Sequence, residues 1–418
     1  MRSGTAALKF RDLKLFLTAR FLATVGIQMQ SVAVGWQVYE LTNDTMDLGY
    51  VGLAQFMPAI CLALATGHVA DRFDRRLIMQ LTHVGLVLCS LMLLAVTFVP
   101  AEVSTKVSLI FAILVLFGTA RAFNGPAASA MLRHLVPTEH MSSAIAWSST
   151  AWQVGTIIGP ALGGLIYGFA KDASVVYGIS AALLVTDVLL IGAMKIRTGR
   201  MDKATTTWSS LFAGIRYVWQ RKIIFGAISL DLFAVLLGGA VALLPAIAKD
   251  VLHAGPWALG LLRSAPAVGA AAVALLLAYV PVRRHVGWWM FGGVFVFGLA
   301  TIGFGLSEHV LLSLGLLVIL GAADMVSVNI RHTLVQMATP PSMQGRVAAV
   351  NQVFIGASNE LGEFESGLTA AYFGLVRAVV LGGIGTCGVV LIWAWRFPAL
   401  RNVDRYEDEL AADPTARP

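Results

Sequence analysis

Charged residues are scarce in this chain of 418 residues. Asp, Glu, Lys and Arg make up 13% of it, whereas a soluble protein carries roughly 25%. The scarcity excludes a disordered protein and an ordinary soluble enzyme. Although the net charge is +7, the cations are too sparse to form the basic face of a nucleic-acid-binding protein.

Cysteine and the sequence signatures of common enzymes are also rare or absent. The 3 cysteines lie inside apolar runs, where they give neither a disulfide framework nor a metal site, and we interpret them as small apolar filler. The sequence contains no Walker loop, no His-Glu-x-x-His zinc motif, no Gly-x-Ser-x-Gly elbow and no potassium-filter signature. It therefore predicts no enzyme, no metal, no cofactor and no use of ATP.

Long apolar runs, in contrast, recur along the whole chain. Hydrophobic residues make up 57% of it, and each run reaches the roughly 20 residues that cross a bilayer as a helix. The runs lack the two-residue alternation of a barrel strand, so the sequence predicts an all-α membrane protein with twelve transmembrane helices. The predicted spans are 13–39, 48–70, 77–99, 106–133, 141–169, 173–195, 222–248, 256–280, 286–306, 310–337, 345–372 and 376–397.

The distribution of Lys and Arg predicts the orientation of these spans. Most of the 30 basic residues fall in the two chain ends and in alternate connections between spans. Basic connections stay on the cytoplasmic side, so both termini are predicted to be cytoplasmic in a bacterial inner membrane. The first span follows a basic segment without a small-residue cleavage site, and we interpret it as a retained span.

The predicted spans fall into two halves of six. Gly52–Pro58 matches Gly260–Pro266 at an offset of 208, and the same offset relates Arg75-Arg76 to Arg283-Arg284. Two matches in one register indicate an internal duplication, as in many secondary transporters. The predicted domains are a six-helix half at 1–195, a cytoplasmic linker with an amphipathic helix at 196–221, a second six-helix half at 222–400 and a tail at 401–418.

The connection after the second span carries a family resemblance. It reads Gly67-His-Val-Ala-Asp71-Arg72-Phe-Asp74-Arg75-Arg76, and it resembles the signature Gly-x-x-x-Asp-Arg-x-Gly-Arg-Arg of the major facilitator superfamily, with Asp74 in place of the last Gly. The resemblance implies a gate that closes the cytoplasmic side, whereas a simple basic loop would explain the arginines but not Asp71. The predicted gate residues are Gly67, Asp71, Arg72, Arg75 and Arg76.

The fourth span contains Arg121-Ala-Phe-Asn124-Gly125, which resembles the Arg-x-x-Gln-Gly motif of the same superfamily. Arg121 lies 12 residues from Arg133, or about 18 Å along a helix, too deep for its side chain to reach the cytoplasmic surface. A guanidinium at that depth is costly unless it is paired or hydrated. The resemblance implies a role for Arg121 in proton coupling.

The fifth span contains Gly155, Gly159, Pro160 and Gly163. Glycines four residues apart place small surfaces on one helix face, where another helix can pack closely. Packing is certainly one purpose of this pattern. It also resembles the fifth-helix motif of exporters in the superfamily, which implies export and not import.

The eleventh span is unusually polar. It carries Asn359, Glu360, Glu363 and Glu365 in an otherwise apolar stretch, and Glu360 and Glu363 share one helix face. Glu360 lies 14 residues beyond Arg346, or about 21 Å along a helix, past the middle of the bilayer. The carboxyls either relay protons or line a hydrated outer vestibule. This span resembles that of the branch of bacterial secretion carriers that includes the enterobactin exporter.

Further charged and aromatic residues lie at membrane depth. Asp324 and Arg331 are seven residues apart on the tenth span and share a face, and we hypothesise that some acids and bases pair across the bundle because unpaired charges are costly there. Asp187, on a span that is peripheral in the superfamily, is interpreted as structural. The proton-coupling candidates are Glu360, Glu363, Asp324 and Arg121, and the substrate-cavity candidates are Arg20, Gln28, Trp36, Trp152, Asp231, Arg331, Asn359 and Glu365.

These patterns together predict a secondary transporter. The favoured function is export of a siderophore-like metabolite or an amphipathic drug by proton antiport with alternating access. The alternative is an importer or facilitator without proton coupling, and a membrane scaffold or enzyme is a weaker one. The predicted partners are a small-molecule substrate, protons and the lipid bilayer, with no nucleic acid and a monomeric chain.

Overall fold

A computed structural model gives the structure of residues 6–72, 74–195 and 208–406. These residues form helices and no β-strand. A 3-10 turn at Ala6–Lys9 precedes the first helix. The α-helices are α1 (Arg11–Thr42), α2 (Thr45–Arg72), α3 (Arg75–Phe98), α4 (Val103–Leu135), α5 (Met141–Ala170), α6 (Ala173–Gly192), α7 (Trp208–Gln220), α8 (Lys222–Leu237), α9 (Leu244–Ala246), α10 (Pro256–Tyr279), α11 (Val286–Gly305), α12 (Val310–Met337), α13 (Pro341–Phe373), α14 (Leu375–Arg396) and α15 (Pro398–Arg401).

Nine helical segments within the described ranges are long and apolar enough to cross a membrane. They are α3, α4, α5, α6, α8 with its continuation to Val251, α10, α11, α12 and α14. Helices α1, α2 and α13 are also long, at 32, 28 and 33 residues, and α1 and α13 are more polar than the nine. The prediction of an all-α membrane protein is confirmed, and the count of twelve spans stays a prediction.

The chain divides into two compact units. Unit 1 comprises Met1–Asn43, Leu53–Thr206 and Ala254–Ser264, and unit 2 comprises Asp44–Gly52, Thr207–His253 and Ala265–Pro418. Each unit therefore takes most of its residues from one half of the sequence and a short segment from the other half. The domain boundaries that the sequence predicts stay a prediction, and the linker at 196–207 lies outside the described residues.

Unit 1 has an apolar core between α1, α3, α4 and α6. Leu13 and Phe16 of α1 pack with Met79 of α3, Met131 of α4 and Ile191 of α6, and all five are buried. Between helices in a membrane, where lipid is as apolar as these side chains, close van der Waals packing stabilises such a core. This core fixes the relative positions of the four helices, which also carry the polar residues described below.

The glycines of α5 allow α1 to approach its backbone. A Cβ atom on Gly163 would lie 2.8 Å from the Cα of Met29, and one on Gly159 would lie 2.6 Å from the Cβ of Gln28. Real side chains do not approach that closely, so any larger residue would push α1 away. The fifth-span motif therefore has the packing role that its spacing indicates.

Unit 2 has two apolar clusters. One joins α8, α11, α12 and α14, with Leu230, Met290 and Ile330 in its interior. The other lies beneath α7, whose Val218 packs with Val347 of α13. The helix α7 covers the segment that the sequence predicts to be amphipathic, with Val218 buried and Trp219 exposed.

The seventh predicted span, 222–248, corresponds to the apolar segment Lys222–Val251, which is long enough to cross a membrane but is not one continuous α-helix. The helix α8 ends at Leu237, and the chain continues through a 3-10 turn, the short α9 and a π-helical turn to Val251. The break falls at Gly238 and Gly239, because glycine is a poor helix former. A Cβ on Gly239 would lie 2.7 Å from the carbonyl oxygen of Gly362, so this glycine also lets α13 approach.

The internal repeat has a structural counterpart within each unit. Gly52 of α2 packs against Glu363 of α13 in unit 2, and its equivalent Gly260 of α10 packs against Gly164 of α5 in unit 1. By the repeat, α2 is equivalent to α10 and α13 is equivalent to α5. The two contacts therefore join equivalent pairs of helices. The duplication into two halves of six spans stays a prediction.

Candidate functional site

Helices of unit 1 line a polar cavity with a volume of ≈ 380 Å³, which we call the arginine cavity. It lies between α1, α3, α4, α5 and α6, at the depth of their apolar segments. Three of its lining residues, Arg20, Gln28 and Trp152, are substrate-cavity candidates from the sequence, and Arg121 is a proton-coupling candidate. The polar residues that line it are Arg20, Thr24, Gln28, His83, Arg121, Asn124, Trp152, Thr156 and Asp187.

Two arginines give this cavity its positive charge. The structure records no carboxylate of a described residue within ion-pair distance of Arg20 or Arg121. The Nε of Arg20 is buried and has no hydrogen-bond partner in the part of the chain that the structure describes. The Oδ1 of Asn124 is also buried without a partner among the described residues. These groups retain the capacity to bind a ligand.

A buried pair of His83 and Asp187 forms one wall of the cavity. The Nδ1 of His83 on α3 contacts the Oδ2 of Asp187 on α6, and both side chains are almost fully buried. The opposite atoms, His83 Nε2 and Asp187 Oδ1, are buried and have no hydrogen-bond partners within the described ranges. Sequence reasoning did not consider His83, since an isolated histidine in an apolar run gives no signal of its partner.

Unit 2 contains a second buried pair of charged residues. The Arg331 guanidinium on α12 donates a hydrogen bond to the Asp231 carboxylate on α8, and both side chains are buried. The hypothesis of pairing between an acid and a base across the bundle is confirmed for these two residues. Asp324, two helical turns before Arg331, interacts electrostatically with both members of the pair. We call these three residues the carboxylate cluster.

The acidic residues of α13 have separate surroundings. Glu363 lies against Gly52, because a Cβ there would be 2.5 Å from the glutamate Oε2. Glu365 accepts a hydrogen bond of 2.7 Å from Thr369 one turn further along the helix. Glu360 is half-buried and Asn359 is exposed. Their predicted roles in proton coupling and substrate binding stay predictions.

Trp36, another substrate-cavity candidate, does not line the arginine cavity. It is buried, and its ring meets the ring of Tyr167 edge-on at 6.5 Å between centroids. The hydroxyl of Tyr167 in turn donates a hydrogen bond of 3.0 Å to Glu40. These contacts place Trp36 in the packing between α1 and α5.

One residue of the predicted cytoplasmic gate can be described in full. Arg76 donates hydrogen bonds to the carbonyl oxygens of Ile191 and Gly192 at the end of α6. Asp74, which replaces the usual glycine of the motif, caps the N-terminus of α3 by accepting a hydrogen bond of 2.9 Å from the Arg76 backbone N–H. The side chains of the other gate residues, Gly67, Asp71, Arg72 and Arg75, lie outside the described residues.

Comparison with known proteins gives consistent similarities over almost the whole chain. The family described as transmembrane secretion effector matches residues 2–415. The enterobactin exporter EntS of Citrobacter koseri is 26% identical, and the match covers 88% of this chain and 83% of that protein. The staphyloferrin A transporter of Staphylococcus aureus is 21% identical, over 91% and 95% of the two chains.

A solved structure shares the fold. The crystal structure of a D-xylose-proton symporter superposes with a TM-score of 0.68 at 13% identity, over 93% of this chain and 96% of that one. At that identity the similarity concerns the fold alone. The relatives and the solved structure named here are all membrane transporters, and the family description is that of a transmembrane protein.

Proposed function

The chain belongs to the transmembrane secretion effector family of the major facilitator superfamily, and on that premise we propose that it exports a small organic molecule in exchange for protons. It is a multi-pass membrane transporter. In the proposal, two six-span halves alternate between inward-open and outward-open states in a bacterial inner membrane, with both termini in the cytoplasm. The basic connections between spans support this orientation.

The carboxylate cluster is the observation that supports proton coupling most strongly. Asp231 and Asp324 are two acids, and Arg331 is the one guanidinium recorded beside both of them among the described residues. If both acids were ionised, the cluster would carry one uncompensated negative charge, which is costly in an apolar helix bundle. A proton on one carboxyl, most simply on Asp324, removes that charge. The cluster is therefore suited to bind and release one proton.

Proton binding can drive export only if the two states of the carrier differ in their affinity for the proton. In the proposed cycle, Asp324 takes up a proton from the outside in the outward-open state and releases it to the cytoplasm in the inward-open state. The carrier with deprotonated Asp324 then binds substrate from the cytoplasm. Each cycle moves substrate outward and a proton inward.

The acids of α13 are the second candidates for this role. Glu363 sits at a tight contact with Gly52, so a change in its charge would alter the packing of α2 on α13. Arg121, for which the motif implies proton coupling, lines a cavity large enough for a substrate. We assign Asp324 the first place because it shares one guanidinium with a second acid.

The proposed substrate is a siderophore-like metabolite or an amphipathic drug. Relatives named as an enterobactin exporter and a staphyloferrin A transporter support the first class. The helix-five glycine pattern supports export. The arginine cavity offers both charged and aromatic side chains, as such molecules require.

The test uses purified protein in proteoliposomes with a fixed pH gradient and an internal pH probe. A panel of siderophores, dyes and antibiotics is added, and proton movement and substrate movement are recorded together. We expect one substrate class to dissipate the gradient, and we expect Asp324→Asn to abolish proton movement. Glu308→Gln, which removes an exposed carboxyl between α11 and α12, is the matched control and should behave like the unchanged protein.

Two results would contradict the proposal. Substrate movement without proton movement would leave a facilitator. Substrate-dependent proton movement that persists in Asp324→Asn would remove Asp324 from the mechanism, and the same assay on Glu360→Gln and Glu363→Gln would then test the acids of α13.

A further inference from the structure

We propose that Arg20 and Arg121 form a binding site for the anionic group of an aromatic organic acid in the arginine cavity. This inference rests on the proposed function, because it names the substrate class of the same transporter. It assigns the two guanidinium groups to the substrate, and it leaves proton exchange to the carboxylate cluster of unit 2.

The charge balance of the cavity is the first argument. Its ionisable lining residues are Arg20 on α1, His83 on α3, Arg121 on α4 and Asp187 on α6, and α5 contributes none. The carboxylate of Asp187 contacts His83, and the structure records no ion pair from it to either arginine. The described lining therefore carries two guanidinium charges that no neighbouring carboxylate pairs with. A bound anion would remove that imbalance.

The corresponding helices of unit 2 show how the protein balances such a charge internally. The repeat relates α1 and α4 to α8 and α12. In unit 2, the arginine of α12 is paired with Asp231 from α8. In unit 1, α4 also carries an arginine, but α1 contributes a second arginine and no acid to the cavity. The difference indicates that in unit 1 the negative partner comes from a ligand.

The donors of the cavity suit a carboxylate or a phenolate. A guanidinium presents several N–H groups in one plane and binds planar oxyanions through two parallel hydrogen bonds. The Nε of Arg20 is buried and no described residue accepts a hydrogen bond from it, so an oxyanion at this position would satisfy it. Thr24 and Thr156 do not compete for the ligand, because their hydroxyls donate to the carbonyl oxygens of Arg20 and Trp152.

The cavity also has room and an apolar wall for a ring. Its volume of ≈ 380 Å³ falls within the roughly 300 to 1,000 Å³ of small-molecule pockets. The indole of Trp152 lines it and is 48% exposed, so its face is free to stack on a flat ligand. A ligand whose ring stacks on Trp152 and whose anionic group binds the two arginines would contact both the aromatic and the cationic residues of the cavity.

The test measures equilibrium binding without any gradient. The full chain is placed in nanodiscs of neutral phosphatidylcholine, and 2-hydroxybenzoate and its uncharged amide, 2-hydroxybenzamide, are titrated by ligand-observed NMR. We expect the acid to bind about tenfold more tightly than the amide, as hydrogen bonds to a charged group imply. The ratio of the affinity for the acid to the affinity for the amide should fall close to one in Arg20→Gln and in Arg121→Gln.

Control variants separate the site from general effects of charge and folding. Arg377→Gln removes an exposed arginine outside the cavity and should keep the full preference. Arg20→Lys and Arg121→Lys keep the charge but lose the planar pair of donors. These variants should retain part of the preference for the acid over the amide. Thermal unfolding of each variant identifies any that fails to fold. If a glutamine variant fails to fold, the lysine variant at the same position is used in its place.

Several outcomes would overturn the inference. The acid and the amide could bind equally, the preference could survive in both glutamine variants, or Arg377→Gln could abolish it too. Chloride that displaces the acid at equal concentration would reduce the site to one for inorganic anions. If the anion preference is absent while proton-coupled transport persists, only this site is refuted. If the preference is present and no transport occurs, the proposed function fails instead.

Discussion

The Arg331 guanidinium holds the Asp231 carboxylate in a buried ion pair between α12 and α8. Removal of one member of a buried pair leaves an unpaired charge, whereas removal of both does not. We therefore expect Asp231→Leu and Arg331→Met each to lower the free energy of unfolding by about 3 to 5 kcal/mol. The double variant should lose much less than the sum, as thermal unfolding of the purified protein would show.

A double variant whose loss equals the sum of the two single losses would contradict the pairing. Glu308→Gln serves as a control, because Glu308 is exposed and the structure gives it no ion pair among the described residues. Its unfolding midpoint should not change.

A second prediction concerns the glycine contact between α5 and α1. Gly163→Ala would place a methyl group 2.8 Å from the Cα of Met29, and such overpacking costs about 1 to 3 kcal/mol. Gly178→Ala on α6 is the matched control, since no atom lies within 4 Å of its new methyl group. It should be neutral or stabilising by up to about 1 kcal/mol, because alanine favours a helix. Equal thermal unfolding midpoints for the two variants would refute the close contact.

A third prediction concerns Asp74, the residue that departs from the family motif. Asp74→Ala removes the side-chain cap of α3 and should destabilise the protein by about 1 kcal/mol, whereas Asp74→Gly should cost only a few tenths. Thermal unfolding distinguishes these values. A larger loss for glycine than for alanine would show that the cap is not the reason for the substitution in the motif.

A fourth prediction concerns the pair of His83 and Asp187. Asp187 is buried, and His83 is the one hydrogen-bond partner that the structure gives it among the described residues. His83→Phe should lower the free energy of unfolding by about 3 to 5 kcal/mol by leaving that carboxylate unpaired. The double variant with Asp187→Leu should recover most of the lost free energy of unfolding. A double variant as unstable as the single one would show that the two residues do not act as a pair.

The helical membrane fold follows from the sequence because twenty-residue apolar runs have few other structures available in a bilayer. Length and hydropathy do not locate breaks within a span. The end of α8 at Leu237 depends on Gly238, Gly239 and a contact with the backbone of Gly362, which is distant in sequence. Such a tertiary contact has no local signature.

The site was predictable only in part for the same reason. Arg20 and Arg121 stand out in the sequence because charges are rare in apolar spans, and the structure places both on one cavity. Asp187 also stood out, but its partner His83 is 104 residues away, and no spacing rule connects α3 to α6. Sequence identifies costly groups within the membrane, and the fold decides which of them meet.

The central claim is that substrate and proton move in opposite directions, and reversal of the pH gradient tests it most directly. In proteoliposomes loaded with a transported substrate, an acidic exterior should drive the substrate out as protons enter. An acidic interior should drive external substrate in as protons leave. A substrate flux that ignores the sign of the gradient, or that follows the protons in the same direction, would contradict proton antiport.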